Sequence, residues 1–340
     1  MKGEKMRTVT IGLLTLNHLS FTQLCLEYLF KNTDYPYELV IVDQNSSDGT
    51  KEYLQDIERT YGSIQPITVH YMDRNVGVAA GLNICALHNL DNDLVFLQND
   101  VVVGPNWLSP LVSLADSSNK IGMVGSFLSP EVNFIDTKCT EETRRKYEQE
   151  IMYNLRNDPT KERLKEYLNY FYDGDFDKFA LDFVERNKDT LPYDEIVFMM
   201  SYFKKETFKA VGYFDERYWP YGSEEWDFMY RVNNAGMFRL LCNQSFAHHW
   251  VSITCRKLLR DDPELYMKDI PTGELMATRW EMSKAHGGEV WPGRSFEAGT
   301  IVKRSHAKWR LKEGIDSTIK VTRNGITGYE ALPAGSYFRE

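Results

Sequence analysis

Five acidic side chains stand out by their surroundings: Asp43, Asp100, Glu224, Glu225 and Asp227. Asp100 follows Asn99 at the end of the apolar run Val95-Phe96-Leu97-Gln98 and precedes Val101-Val102-Val103. A carboxylate inside such a stretch is costly unless it is hydrogen-bonded, paired or bound to a metal. It either caps a turn or ligates Mg2+ or Mn2+, since hard cations prefer carboxylate oxygen and keep phosphate oxygens in their shell. Asp43 ends a second apolar run and opens the turn-forming cluster Gln44-Asn45-Ser46-Ser47-Asp48-Gly49. It is a turn residue, or it accepts a hydrogen bond from a base N–H or a ribose hydroxyl. Glu224, Glu225 and Asp227 crowd what reads as a helix start, with Ser223 as its cap, where the helix dipole favours negative charge. Helical spacing puts Glu224 and Asp227 on one face, brings Arg231 within reach of Asp227 and points Glu225 elsewhere. Crowded carboxylates raise one another's pKa, which suits a general base near neutral pH. His248 and His249 close an apolar strand-like run. Neighbours in a strand face opposite sides, so at most one of them joins Asp100 as a metal ligand, and either is otherwise structural.

The elements that must position these groups alternate regularly. Residues 8–16, 38–42, 67–71 and 93–98 read as strands, being β-branched and apolar with turn formers between them. Residues 20–34, 51–61 and 77–90 read as helices, the first capped by Ser20 and the third carrying Gly81 near its start. Such alternation predicts right-handed βαβ units and a mostly parallel, Rossmann-like sheet. Ligands bind such sheets at the carboxyl ends of their strands, which is where Asn17, Asp43 and Asn99-Asp100 fall. Residues 131–194 turn rich in Glu, Lys, Arg, Tyr and Phe with helical spacing, and read as a helical insertion, a lid or a dimer surface. Its Tyr167, Tyr170 and Tyr172 are core residues or sugar-stacking platforms. A strand-like run resumes at 196–202, and the tail from 261 has only weak periodicity.

The chain has 340 residues and a net charge of −9. An acidic chain holds phosphate through a local site or a bound cation and not by bulk attraction, which counts against a nucleic-acid partner. The five cysteines are scattered without a C-x-x-C pair, so no disulfide framework or zinc cluster is expected and reduced thiols in a cytoplasmic setting are. No run of ~18 apolar residues reads as a transmembrane segment. Peripheral membrane contact and a homo-oligomer stay open.

Taken together, these residues resemble the inverting glycosyltransferases of family 2, in particular the rhamnosyltransferase-like branch. Leu14-Thr15-Leu16-Asn17 is similar to that family's Pro-Thr-Tyr-Asn segment, and Val42 through Thr50 looks like its Val-Asp-Asn-Gly-Ser-x-Asp-Gly-Thr loop. Asn75-Val76-Gly77-Val78-Ala79-Ala80-Gly81-Leu82-Asn83 resembles its Asn-x-Gly-x-Ala-x-Gly-x-Asn helix start. Leu97-Gln98-Asn99-Asp100 fits its Asp-x-Asp position, with Gln98 in place of the first acid. Gly212-Tyr213-Phe214-Asp215-Glu216, then Glu224-Glu225-Trp226-Asp227, looks like Gly-x-Phe-Asp-Glu followed by Glu-Asp-x-Asp, with Glu225 in place of an aspartate. The resemblance implies a GT-A nucleotide-diphospho-sugar transferase fold with a helical insertion and a C-terminal extension. Residues 1–130 would bind the nucleotide sugar, 131–194 form the insertion, 195–260 the acceptor and catalytic half, and 261–340 the extension. It further implies metal-dependent transfer of a sugar, with inversion, from a UDP- or dTDP-sugar to a hydroxyl of a glycan, protein, lipid or modified nucleic acid. Thr15, Asn17, Asp43, Asn75, Gly81 and Asn99 would hold the nucleotide. Asp100 would hold Mn2+ or Mg2+, with His248 or His249 completing the shell. Glu225 would be the base, with Glu224 and Asp227 positioning donor or acceptor. The alternatives are a retaining GT-A enzyme, a nucleotidyltransferase and a silent nucleotide-sugar-binding protein. A nucleotidyltransferase would want a glycine- and Lys/Arg-rich phosphate loop near Asn17, and the sequence has none there.

Overall fold

The structure is a computed structural model and describes residues 6–129, 159–190, 200–250 and 317–336, together with 145, 192, 253, 280–282, 296–297, 300–301 and 309–311. Strand and helix alternate from the start: β1 (Val9–Thr15), α1 (Leu19–Asn32), β2 (Tyr37–Asp43), α2 (Thr50–Tyr61), β3 (Ile67–Tyr71), α3 (Val78–His88) and β4 (Asp93–Gln98). They continue with β5 (Val101–Val103), α4 (Leu108–Asp116) and β6 (Ile121–Ser129). Within 131–194 lie α5 (Lys161–Phe171) and α6 (Phe176–Arg186). Then come β7 (Met200–Phe203), α7 (Lys205–Val211), α8 (Glu224–Asn234) and β8 (Phe238–His249). In the tail, β9 (Trp280–Met282) pairs with β12 (Trp309–Leu311), β10 (Phe296–Glu297) with β11 (Thr300–Ile301), and β13 (Thr318–Arg323) with β14 (Ile326–Ala331).

One sheet carries the site, in the order β3-β2-β1-β4-β7-β6-β8-β5. β3, β2, β1 and β4 run parallel, as do β6 and β8, while β7 and β5 are antiparallel to their neighbours. The mixed α/β sheet, dominated by parallel pairing, is that of a GT-A fold. The parallel strands are apolar on both faces because helices cover both. Val9, Ile11 and Leu13 join the core on one side with α1, α2 and α4 to α6, whereas Leu14, Val40, Val42 and Phe96 join the core on the other with α3, α7 and α8. Period-two alternation thus feeds two layers from one strand, each buried aliphatic contributing ~1.5–3 kcal/mol.

Two local details differ from the sequence reading. The N-cap of α1 is His18, in the left-handed region with φ 60, and Ser20 lies inside the helix. The exposed amide of Leu19 is satisfied from another loop, donating to Asp48 Oδ2 at 3.0 Å. Ser223 does occupy the N-cap of α8, but its side chain makes no capping hydrogen bond. In the insertion, α5 and α6 are capped by Thr160 and Asp175, which accept from the amides of Arg163 and Lys178. Tyr167 and Tyr172 are buried there, and Tyr170 is half exposed.

The hairpin β13–β14 turns on Asn324 (φ 51) and Gly325 (φ 78), a two-residue turn with both centres left-handed. Buried Asp215 and Glu216 hold it. Lys320 N donates to Asp215 Oδ1 at 3.1 Å, and Thr322 N and Oγ1 donate to Glu216 at 2.8 and 2.6 Å. Glu216 also accepts from Asn83 of α3 at 3.1 Å, so one carboxylate joins the hairpin to that helix. Among the described residues no helix is long and apolar enough to cross a membrane.

Candidate active site

Strand register sets the carboxyl ends of β1, β2 and β4 level, with Thr15 opposite Asp43 and Leu14 opposite Gln98. Asp43 is almost fully buried. Thr15 Oγ1 donates to its Oδ1 at 3.1 Å and Ser46 N to its Oδ2 at 3.2 Å. Each oxygen keeps acceptor capacity for a further donor. Asn17, with φ 56, donates its amide to Ser46 Oγ at 2.7 Å and accepts Ser47 N at 2.8 Å. Asn99 Nδ2 reaches the Asn17 carbonyl at 3.2 Å and Thr22 Oγ1 at 2.9 Å. Thr15, Asn17, Asp43 and Asn99 are therefore one network.

Asn75 belongs to the next stretch of the rim. Gly77 N donates to Asn75 Oδ1 at 2.8 Å and to Gln44 Oε1 at 3.0 Å. Gly77 has φ 86, and a Cβ there would lie 2.7 Å from Trp219 Cδ1, so the position requires glycine twice over. Gly81 lies outside this polar network. A Cβ there would meet Leu14 Cδ2 at 2.8 Å, so the glycine lets α3 pack closely on β1. Trp219 Nε1 donates to the Asn75 carbonyl at 3.4 Å, and Val78 N donates to the Pro220 carbonyl at 2.8 Å. The segment that leads into α8 is thus bonded to the rim that begins at Asn99. Gln44, Ser46 and Trp219 were not singled out from sequence. The turn composition of 44–49 was the signal for the first two, and Trp219 has no local signal.

At the other end, Asp100 is buried, and its Oδ2 lies 3.4 Å from His249 Nε2. Antiparallel pairing of β5 with β8 places Val101 opposite His249 and brings this about. Asp100 Oδ1 is buried without any partner. His248 faces the opposite way. Its Nδ1 meets the Tyr172 hydroxyl at 2.8 Å, and its ring packs on Phe171 and Trp250. Burial first, then His249, holds its pKa well below the usual histidine value, so it is neutral. Of the two histidines, only His249 shares a face with Asp100. An orphaned carboxylate oxygen beside an imidazole nitrogen fits a hard divalent cation. Among the described residues no third His, Cys, Asp or Glu joins them, so further ligands would be phosphate oxygens or water.

On α8, Asp227 and Arg231 are fully buried and paired at 3.0 Å, and the Tyr218 hydroxyl donates to Asp227 Oδ1 at 3.3 Å. The expected reach of Arg231 is there, and it makes Asp227 an anchor between α8 and the preceding segment, away from solvent. Glu224 and Asp227 are both buried on α8 while Glu225 is partly exposed, as the helical spacing predicts. Burial, then the charge of Glu225, push Glu224 well above the usual carboxylate range. Burial also raises Glu225, while hydrogen bonds from its own backbone amide and from Glu224 hold that rise back. Glu224 therefore keeps the proton, and the partly exposed Glu225 is the carboxylate able to accept one.

Residues 10–176 match the family model described as glycosyl transferase family 2, and residues 182–247 match that described as the N-terminal domain of galactosyltransferase. Chondroitin synthase of Escherichia coli is 24% identical over 247 residues, covering 68% of this chain and 32% of that protein. The uncharacterized glycosyltransferase YfnE of Bacillus subtilis is 24% identical over 225 residues, covering 61% of this chain and 55% of that protein. The chain thus spans about a third and about half of the lengths of these relatives. The crystal structure of GalNAc-T7 with UDP, GalNAc and Mn2+ superposes with a TM-score of 0.50 at 15% identity, covering 72% of this chain and 44% of that one.

Proposed function

From matches that support glycosyltransferase family 2, we propose that the protein transfers a sugar from a nucleotide-diphosphate donor, UDP-linked before dTDP-linked, to an acceptor hydroxyl with inversion. The observation that carries this reading is the single hydrogen-bonded rim. It runs from Asn99 beside Asp100, through Asn17, Ser46 and Asp43, to Gln44, Gly77 and Trp219 ahead of α8. That rim supports the reading because it offers donors and acceptors to a nucleotide between the chain neighbours of Asp100 and the segment that leads into α8.

In this proposal Asp43 and Thr15 hold the base and ribose, with Asn17, Asn99 and Asn75 shaping the loops around them. Gly81 serves indirectly, by seating α3. Asp100 and His249 would hold Mn2+ or Mg2+, which would supply charge neutralisation for a diphosphate leaving group. Glu225 takes the proton from the acceptor hydroxyl as its oxygen attacks the anomeric carbon. Glu224, protonated, donates to Glu225 and keeps its free carboxylate form oriented. One displacement on the face opposite the leaving group inverts the anomeric centre. The transition state resembles an oxocarbenium ion.

The test is turnover of a UDP- and dTDP-sugar panel with Mn2+ on the full chain, with the product anomer read by NMR. Release of nucleoside diphosphate and an inverted product are expected. Retention would replace the one-step displacement, pyrophosphate release would indicate nucleotidyl transfer, and tight UDP binding without turnover would indicate a silent binding protein.

A further inference from the structure

A cleft of about 730 Å3 separates α3 and the exit of β3 from the hairpin β13–β14. Its size falls within the ~300–1,000 Å3 of small-ligand clefts. It is lined by Trp219 and Asn75, the pair that also closes the rim, and by Lys320, Thr322 and Asn324 of the hairpin. The hairpin wall lies outside both family matches, so this part of the cleft belongs to the chain's own extension. We infer that this cleft binds the acceptor, and that the acceptor is an oligosaccharide with several of its sugar units lying between α3 and the hairpin.

Three features of the lining support a sugar chain. Ile84, Leu87 and Val76 give an apolar floor, Trp219 adds an aromatic side chain, and amides and hydroxyls of Asn75, Asn324, Thr322 and Thr327 surround them. Sugars present the same division, with apolar C–H faces and hydroxyl edges. Second, the charges nearly cancel. Arg74 lies 3.5 Å from Asp73, Glu216 and Lys320 of opposite charge line the same wall with Glu216 N donating to the Lys320 carbonyl at 2.9 Å, and burial with His88 lowers His70, leaving it neutral. A nucleic-acid acceptor would want a cationic surplus, and a lipid tail an unbroken apolar wall. Third, the walls are fixed. Asp215 and Glu216 clamp the hairpin, and Glu216 ties it to Asn83, so little ordering accompanies binding.

This inference rests on the proposed transferase reading, and its test separates the two. Chitotetraose, cellotetraose, maltotetraose and a uronic-acid-containing tetrasaccharide are titrated into the full chain with UDP and Mn2+ by calorimetry. The thermal shift given by UDP with Mn2+ is followed in parallel. At least one tetrasaccharide should bind. Thr327→Trp, which narrows the cleft from the hairpin side, and Lys320→Ala, which removes one wall group, should each weaken it by about tenfold or more. The UDP response should persist in both variants. Unchanged tetrasaccharide affinity in both, or no binding by any tetrasaccharide, overturns the acceptor cleft while leaving the transferase reading intact. Loss of the UDP and Mn2+ response in the unaltered chain instead removes the transferase reading itself.

Discussion

Replacing Asp227 should cost stability and leave the chemistry in place. Its carboxylate accepts from Arg231 Nε at 3.0 Å and from the Tyr218 hydroxyl at 3.3 Å, and Nη2 of the same guanidinium lies at an ion-pair distance of 3.0 Å, with both charged side chains fully buried. Asp227→Ala leaves the guanidinium in the interior with its charge uncompensated. Removing one member of such a pair costs ~3–5 kcal/mol, whereas replacing both by apolar groups of similar volume is often neutral. At roughly 2–4 °C per kcal/mol for a large domain, the melting temperature should fall by roughly 6–20 °C. Scanning calorimetry on the full chain measures this, with transfer assayed well below the new midpoint. Asp227→Leu combined with Arg231→Met should recover most of the loss. If Asp227→Ala melts within about 2 °C of the unaltered chain yet loses transfer, the carboxylate acts in the reaction and the anchoring role is wrong.

Four further outcomes follow from the same geometry. Glu225→Gln should lower turnover by roughly 10²–10⁴-fold while the UDP thermal shift survives; near-normal turnover would reject Glu225 as base. Because burial raises Glu225, activity should be present above that raised pKa and fall as pH drops through it, on a limb above that of an ordinary glutamate. Glu224→Ala removes a hydrogen bond that lowers Glu225 and should move that limb to higher pH, while Glu224→Gln keeps a donor and should move it less; a limb that ignores both variants refutes the coupling. Asp100→Ala should abolish, and His249→Ala weaken, the Mn2+ dependence of UDP binding, while His248→Phe should leave it; Mn2+ titrations read by calorimetry decide.

Much of the fold was legible because the parallel strands are apolar on both faces and flanked by turn formers. The runs 67–71 and 93–98 coincide with β3 and β4, and the helices differ at their ends by a residue or two. The rim residues Thr15, Asn17, Asp43 and Asn99 were legible because they terminate those runs. What escaped depended on long-range contacts. Alternation could say that His248 and His249 part ways but not which one meets Asp100, since the pairing of β5 with β8 decides that. Helical spacing foresaw that Arg231 reaches Asp227, yet not that both are sealed from water. The N-terminus of α1 draws its acceptor from Asp48, far along the chain, and no local pattern announces it. The hairpin had a signal in Asn324-Gly325 between alternating runs, which the weak periodicity of the wider tail masked.

Glu216 gives the C-terminal hairpin a structural consequence for protein engineering. Three of its hydrogen-bond donors come from two places, Asn83 of α3 and Thr322 of β13. A shortened chain ending before Thr318 would leave Asp215 and Glu216 without Lys320 and Thr322 as donors, at the foot of the segment that carries Trp219 toward α8. Removal of the hairpin would therefore disturb the segment ahead of α8 from behind, even though no residue of β13 or β14 belongs to the rim.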